Sequence, residues 1–356
     1  MGGVSAPSQL SVEDLRTIGL AAGLVAVGVT GVEPFLDTRA VLEERRERGL
    51  NGAMQFTYRN PTRSTEPAAL LRGAASLVVG AWPYPGGESA SGVEGASESS
   101  DPTGRVARYA NEDHYADLRG ALASIAVELE SAGHRTRIVA DDNALVDRAA
   151  AHRAGIGWFG KNANILVPGH GSWVLLGAVV TDVVLEASEP VADGCGSCQR
   201  CIDGCPTGAI IAPGVVDARR CLAWIVQAGG PIPVEFREAL HDRIYGCDDC
   251  QEVCPPSRRS PEGSAVVGDG SHVDLLALLA ASDEELFERH GRWYIAERDA
   301  RHLKRNALVA LGNIAAPDDQ RVRGVLDDIA SARDELLAEH ARWALSRLDV
   351  RGGVPG

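Results

Sequence analysis

The chain has 356 residues, 45% of them hydrophobic, enough to bury a sizeable core and build two or three compact units. Its formal net charge of −14 argues against indiscriminate nucleic-acid binding while leaving room for a local basic patch. No stretch approaches the roughly 18 uninterrupted apolar residues of a membrane helix, and the N-terminal region lacks the pattern of a secretory leader, so a soluble, cytoplasmic protein is expected.

Ser11 ahead of Asp14 predicts a capped helix over 11–22, followed by an apolar strand over 24–29. Leu77-Val78-Val79 and the segment 173–180 read as further strands. Leu118, Leu122, Ile125 and Leu129 recur at helical spacing ahead of the stop signal Gly133. Strands and helices therefore alternate over residues 1–190, as in an α/β (α+β) domain. Between 85 and 104 Gly, Ser and Glu dominate, which predicts a mobile surface loop. All eight cysteines fall within 191–256, and the polar, Pro- and Gly-bearing stretch 255–271 marks the expected boundary after them. Helical patterns at 275–279, 303–311 and 336–348 follow, separated by turns such as Ala316-Pro317-Asp318-Asp319; they suggest a HEAT-like helical unit over 270–350.

Cys195-x2-Cys198-x2-Cys201-x3-Cys205-Pro206 has the spacing of a bacterial ferredoxin run, in which three thiolates reach one 4Fe-4S cluster and the fourth reaches its neighbour. The second group, Cys247-x2-Cys250-x3-Cys254-Pro255, lacks one cysteine of that run, and Cys221 is the remaining candidate to supply it. By this logic Cys195, Cys198, Cys201 and Cys254 hold one cluster, and Cys205, Cys221, Cys247 and Cys250 hold the other. Zinc ribbons also use paired C-x2-C units, but they do not call for this spacing or the following prolines. Closely spaced cysteine triplets are poor partners for structural disulfides, and a reducing compartment disfavours them. Two clusters make the chain a carrier of single electrons.

The residues before the clusters can house an acceptor. They carry no convincing G-x-G-x-x-G strand-turn-helix fingerprint, so a Rossmann nicotinamide or flavin site is not indicated. The notable segments are Asp141-Asp142-Asn143-Ala144-Leu145-Val146-Asp147-Arg148-Ala149 and Ala154-Gly155-Ile156-Gly157-Trp158-Phe159-Gly160-Lys161-Asn162. Lys161 and Lys304 are the only lysines among 35 basic residues.

With the cysteine pattern, these two segments, Leu303-Lys304-Arg305-Asn306-Ala307 leading to Leu311-Gly312-Asn313, and Glu339-His340-Ala341-Arg342-Trp343-Ala344-Leu345, the chain resembles the epoxyqueuosine reductases of tRNA modification. The resemblance spans nearly the whole sequence. It implies a base-off cobalamin in the N-terminal domain, two 4Fe-4S clusters beside it, and a tRNA anticodon stem-loop bearing epoxyqueuosine as substrate. Asp141 matches the family's catalytic carboxylate, a general acid for the departing epoxide oxygen if burial raises its pKa. Asp142 departs from the small residue usual at that place, and Asp113-His114-Tyr115 departs from the usual Asp-Tyr-His. Arg63, Asp141, Ile165, Ala223, Cys247 and Asp248 fall at positions resembling cobalamin contacts. Lys304 and Arg305 resemble contacts to the tRNA backbone, with Arg289, Arg292, Arg298 and Arg301 as basic neighbours. A flavodoxin or ferredoxin is the expected electron donor, and a monomer the expected state. Two other functions share parts of this pattern: a corrinoid reductase of a small molecule, of the reductive-dehalogenase kind, and a non-enzymatic electron-transfer subunit.

Overall fold

The computed structural model describes residues 11–84, 101–261 and 269–353. Its N-terminal part is built on a four-stranded sheet in which Ala26–Gly31, Ser76–Pro83, Val174–Thr181 and Thr136–Ala140 lie side by side in that order, antiparallel throughout. The strands read as nearly continuous apolar runs because both faces are covered. Leu77, Val79, Ala178 and Val180 face the helix Asp147–Arg153 through Ala150 and Ala151. Val78 and Val179 face Leu15 of the helix Val12–Ala21 and Leu118, Leu122 and Ile125 of His114–Ser131. Gly177 lets the long helix lie close, since a Cβ there would sit 2.7 Å from Leu122 Cδ1. Ser11 and Asp14 form the reciprocal cap, with Asp14 N donating to Ser11 Oγ at 3.2 Å and Ser11 N to Asp14 Oδ2 at 3.0 Å. Gly133, with φ +90°, follows the end of the long helix. The sheet makes this part α+β, with no parallel pair in it.

Of the loop expected over 85–104, residues 85–100 lie outside the described residues. Its last residues do not belong to a loop: Thr103–Val106 is the middle strand of a second sheet, parallel to Arg243–Tyr245 and antiparallel to His272–Asp274. Gly104 permits this, because a Cβ there would lie 2.6 Å from both Ile244 Cγ2 and Leu275 Cδ2. One sheet thus joins the segments before, within and after the cysteine region.

The cysteine region has short helices, a hairpin of Ile210–Ala212 with Val215–Val216, and a small apolar core that includes Val309 from the C-terminal helices. The expected C-terminal helices are Leu275–Ala280, Arg301–Ile314 and Glu335–Arg351. Two more stand between them. Asp283–His290 begins at a Ser282/Glu285 capping box, and Gln320–Ala330 begins at Asp319, whose side chain accepts from Arg321 N and Val322 N. No helix among the described residues is long and apolar enough to cross a membrane.

Candidate active site

The fold sorts the eight cysteines into two groups. Cys195, Cys198, Cys201 and Cys254 line one cavity of about 170 Å³, with Lys161 and Arg259 among its other walls. Cys205, Cys221, Cys247 and Cys250 gather in the second group, where Cys221 and Cys247 each act electrostatically on Cys250 and Cys205 acts on Cys221. Several thiols sit where main-chain N–H groups point at sulfur. Ala209 N donates to Cys205 Sγ at 3.2 Å, and Cys221 and Cys254 each occupy the N-cap of a short helix. Burial pushes the Cys201, Cys221, Cys247, Cys250 and Cys254 thiols up, so their thiolates need bound iron to supply positive charge. All eight are free of disulfides.

Asp141 stands where the strand Thr136–Ala140 ends, with φ +54°, a left-handed conformation uncommon for a residue with a side chain. The following loop is pinned from two sides. Ser64 Oγ donates to Asn143 O at 2.6 Å and Val146 N donates to Ser64 O at 3.0 Å, while Asp142 Oδ1 accepts from Ala144 N at 2.9 Å. Asp142 Oδ2 turns to Arg137, 3.7 Å away. Solvent reaches Asp141, yet the protein packed around it raises its carboxyl above the usual carboxylate range; Arg119 opposes the rise and Asp142 adds to it. Arg119 is anchored by its bond to Ala140 O at 3.1 Å and lies over the Tyr115 ring.

Three further groups share these surroundings. Asp147 is raised by burial, with Arg148 opposing and Asp141 adding. Tyr115 is raised by burial and then by the charges of Asp141 and Asp147. Tyr245 is pushed up to about 12, first by burial, with Asp141 among the contributors. Arg148 links this cluster to the second cysteine group, since its charge reaches Cys221 while its Nη1 holds Ala163 O at 3.0 Å. A raised carboxyl between two phenols and beside an electron-carrying centre is equipped to hand a proton to a reduced product.

The other expected cofactor contacts are placed as follows. Arg63 lies on the helix Pro61–Ser64 that pins the Asp141 loop; its side chain is exposed and makes no hydrogen bond or ion pair among the described residues. Ala223 follows Cys221 and is half-buried. Its neighbour Trp224 donates to Gly52 O at 2.7 Å, which ties this helix to the segment leading to Arg63. An uncommitted guanidinium suits the amide carbonyls and the phosphodiester of a cobalamin, and a small residue after Cys221 leaves room for its flat ring. Ile165 is 2% exposed and packs in the core, so only its main chain is available to a ligand. Asp248 is buried, and its carboxyl accepts from Arg108 N at 2.8 Å and Gln251 Nε2 at 3.2 Å, which leaves its main chain as the open part.

Residues 194–257 match the family model described as a 4Fe-4S double cluster binding domain. Over the whole chain, the epoxyqueuosine reductase of Xanthomonas campestris pv. campestris is 34% identical, with 94% of this chain and 95% of the relative covered. The chain belongs to the epoxyqueuosine reductase family. Among solved structures, an epoxyqueuosine reductase with a tRNA-Tyr epoxyqueuosine-modified stem loop superposes with a TM-score of 0.81 at 30% identity, over 94% of this chain and 89% of that one. A Bacillus subtilis epoxyqueuosine reductase, described with its aspartate-bearing catalytic loop swung out of the active site, gives 0.80 at 30% identity over 94% and 90%.

The motif around Lys304 takes a different place from the one expected. Arg305 is 1% exposed, and its guanidinium donates to the carbonyls of Gly230, Ile225 and Val226. A tRNA phosphate cannot reach it, so the expected backbone contact by Arg305 is corrected to an internal one. Desolvation lowers its pKa to about 10, a cost borne because its donors satisfy a buried turn. Asn306 completes the turn, donating to Val226 O at 2.8 Å and Ile244 O at 2.9 Å. His302 and His340 accept from Gly230 N and Ile232 N at 3.2 and 3.1 Å, and Arg237 binds Ile232 O and Glu339. These motif residues therefore clamp the C-terminal helices onto the segment 225–232 beside the second cysteine group. Lys304 is half-buried and donates to Ala281 O at 2.7 Å. Of its basic neighbours, Arg301 is paired with Asp299 and Asp334, Arg292 holds Ala110 O and Asn111 O, and Arg289 and Arg298 are exposed.

Proposed function

We propose that the protein reduces epoxyqueuosine at the wobble position of a tRNA anticodon stem-loop to queuosine, consuming two electrons and two protons and releasing water. The placement of Asp141 carries this reading: a raised carboxyl on a strained strand end, flanked by Tyr115 and Asp147 and joined through Arg148 to the Cys205, Cys221, Cys247 and Cys250 group. A bound base-off cobalamin would supply a cobalt centre for the carbon–oxygen cleavage, with electrons reaching it singly through two 4Fe-4S clusters. Asp141 protonates the departing oxygen, and Arg119 and the pinned loop hold its carboxyl towards the site. Arg63 and the main chains of Ile165, Ala223, Cys247 and Asp248 would hold the corrinoid. Lys304 with exposed Arg289 and Arg298 offers the tRNA a small basic face on the helical region, which acts as HEAT-like repeats over 270–350. The catalytic and cluster units are 1–190 and 191–256, and the protein works as a cytoplasmic monomer supplied by a flavodoxin or ferredoxin.

The test is to reconstitute the purified protein anaerobically with iron, sulfide and cobalamin, count the metal, and add a low-potential reductant with epoxyqueuosine-bearing stem-loop. Nucleoside analysis should show queuosine, with about eight irons per chain. Unchanged epoxyqueuosine at full metal and cobalamin loading overturns the reaction, and an iron count near half that value overturns the double cluster.

A further inference from the structure

We infer that the surface around Cys195 and Cys198 is the electron entry port and docks an acidic, low-potential one-electron carrier protein. The inference rests on the cluster assignment made above. The first cysteine cavity has a thin cover. Gly194, Gly196 and Ser197 interleave Cys195 and Cys198, all three are exposed, and a Cβ built on Gly196 would meet nothing within 4 Å. The wall between this cavity and solvent is therefore a single turn of small residues. The second group is tied to the reaction side instead: Arg148, whose charge reaches Cys221, also acts on Tyr115 and Asp147 beside Asp141. Electron transfer weakens steeply with distance through protein, so a large donor reaches the first group more readily, while the second faces the reaction.

Charge identifies the donor. The chain as a whole carries −14, yet exposed Arg259 lines this cavity, Arg200 and Arg258 are exposed next in sequence to its lining residues Cys201 and Arg259, and Lys161 sits at it with its ammonium on Gly196 O at 2.8 Å. None of the three arginines has an ion-pair partner among the described residues. Of the nearby acids, Asp193 is engaged by Cys195 N at 2.9 Å and Asp203 is exposed. A basic rim on an acidic protein selects a partner of opposite sign and steers its approach. In each encounter one electron leaves the reduced carrier for the cluster held by Cys195, Cys198, Cys201 and Cys254; no bond is made and no proton moves. Two encounters serve one turnover.

Charge reversal at Arg200→Glu with Arg258→Glu tests this in the reconstituted holoenzyme, with iron content checked first. Stopped-flow bleaching of the cluster absorbance is followed with a reduced acidic ferredoxin or flavodoxin, and separately with photoreduced 5-deazariboflavin, an uncharged donor. The carrier-driven rate should fall roughly tenfold or more at low salt, the parent rate should decline as salt rises, and the deazaflavin rate should stay unchanged. Equal carrier rates in parent and variant, a salt-independent parent rate, or no reduction of the parent by either carrier overturns the port. Failure of deazaflavin to bleach any cluster in the parent would instead count against the cluster assignment itself.

Discussion

Replacing Asn306 by alanine should loosen the C-terminal helices from the cluster region, and the size of the effect follows from its contacts. Asn306 is fully buried, donates to Val226 O at 2.8 Å and Ile244 O at 2.9 Å, and accepts from Arg305 Nε at 3.1 Å. Val226 O would keep its bond from Arg305, 3.3 Å away, but Ile244 O and the Nε of Arg305 would lose the partners they have here. The bond to Val226 O, whose acceptor keeps a partner, is worth about 1 kcal/mol net, and the two buried groups left dry cost ~1–3 kcal/mol each, so the sum is about 3–7 kcal/mol. A whole domain has only about 5–15 kcal/mol to lose. At roughly 2–4 °C per kcal/mol for a chain of this class, a heat scan followed by circular dichroism should show a midpoint about 10 °C lower. Amide hydrogen exchange should quicken in 225–232, the segment that Arg305 and Asn306 hold. A variant melting within about 2 °C of the parent, with unchanged exchange there, would refute the clamp.

Asp141→Asn should abolish turnover with clusters and cobalamin still bound, as judged by their spectra. Because Asp141 must be protonated to act and its carboxyl is raised, the parent rate should fall as pH rises through that raised value; a flat profile would reassign the acid. Lys304→Ala should weaken stem-loop binding and flatten the slope of log affinity against log salt by about one phosphate contact, whereas Arg305→Met should change stability and leave the slope intact. His340 is held neutral, its pKa lowered to about 4 first by burial, so the unfolded chain takes up the proton before the folded one does. Stability should therefore decline as pH falls from about 6.5 to about 4 and level off below; His340→Gln should blunt that decline, measured as melting midpoint against pH.

The long strands and helices were legible because their burial leaves a periodic mark: Leu118, Leu122, Ile125 and Leu129 all sit at 0% exposure. The helix Gln320–Ala330 was not, since only Val322 and Leu326 are buried and a single i, i+4 pair is too little signal. The strand Thr103–Val106 was hidden by its neighbours, a polar stretch before it and pairing partners well over a hundred residues away. The same limit applied to function. Cysteine spacing pointed to the grouping of Cys254 with Cys195, Cys198 and Cys201 in one cavity, because a ferredoxin run sends its last cysteine to the neighbouring cluster. Arg305, by contrast, looked like a surface cation, and only tertiary packing reveals that its donors face inward. Asp147 and Tyr115 lay beside Asp141 and the altered His114-Tyr115 pair, but nothing in a linear pattern says that they share one electrostatic neighbourhood.

The second sheet bears on how the protein is made. Thr103–Val106 leaves the ribosome with both edges bare, and its partners Arg243–Tyr245 and His272–Asp274 emerge much later. At about 5–20 residues per second that wait is on the order of 10–30 seconds. An unpaired edge for so long invites mispairing with other nascent chains. The final sheet can close only after every cysteine has been translated, so iron delivery has a defined interval in which the cysteine region is complete but not yet locked.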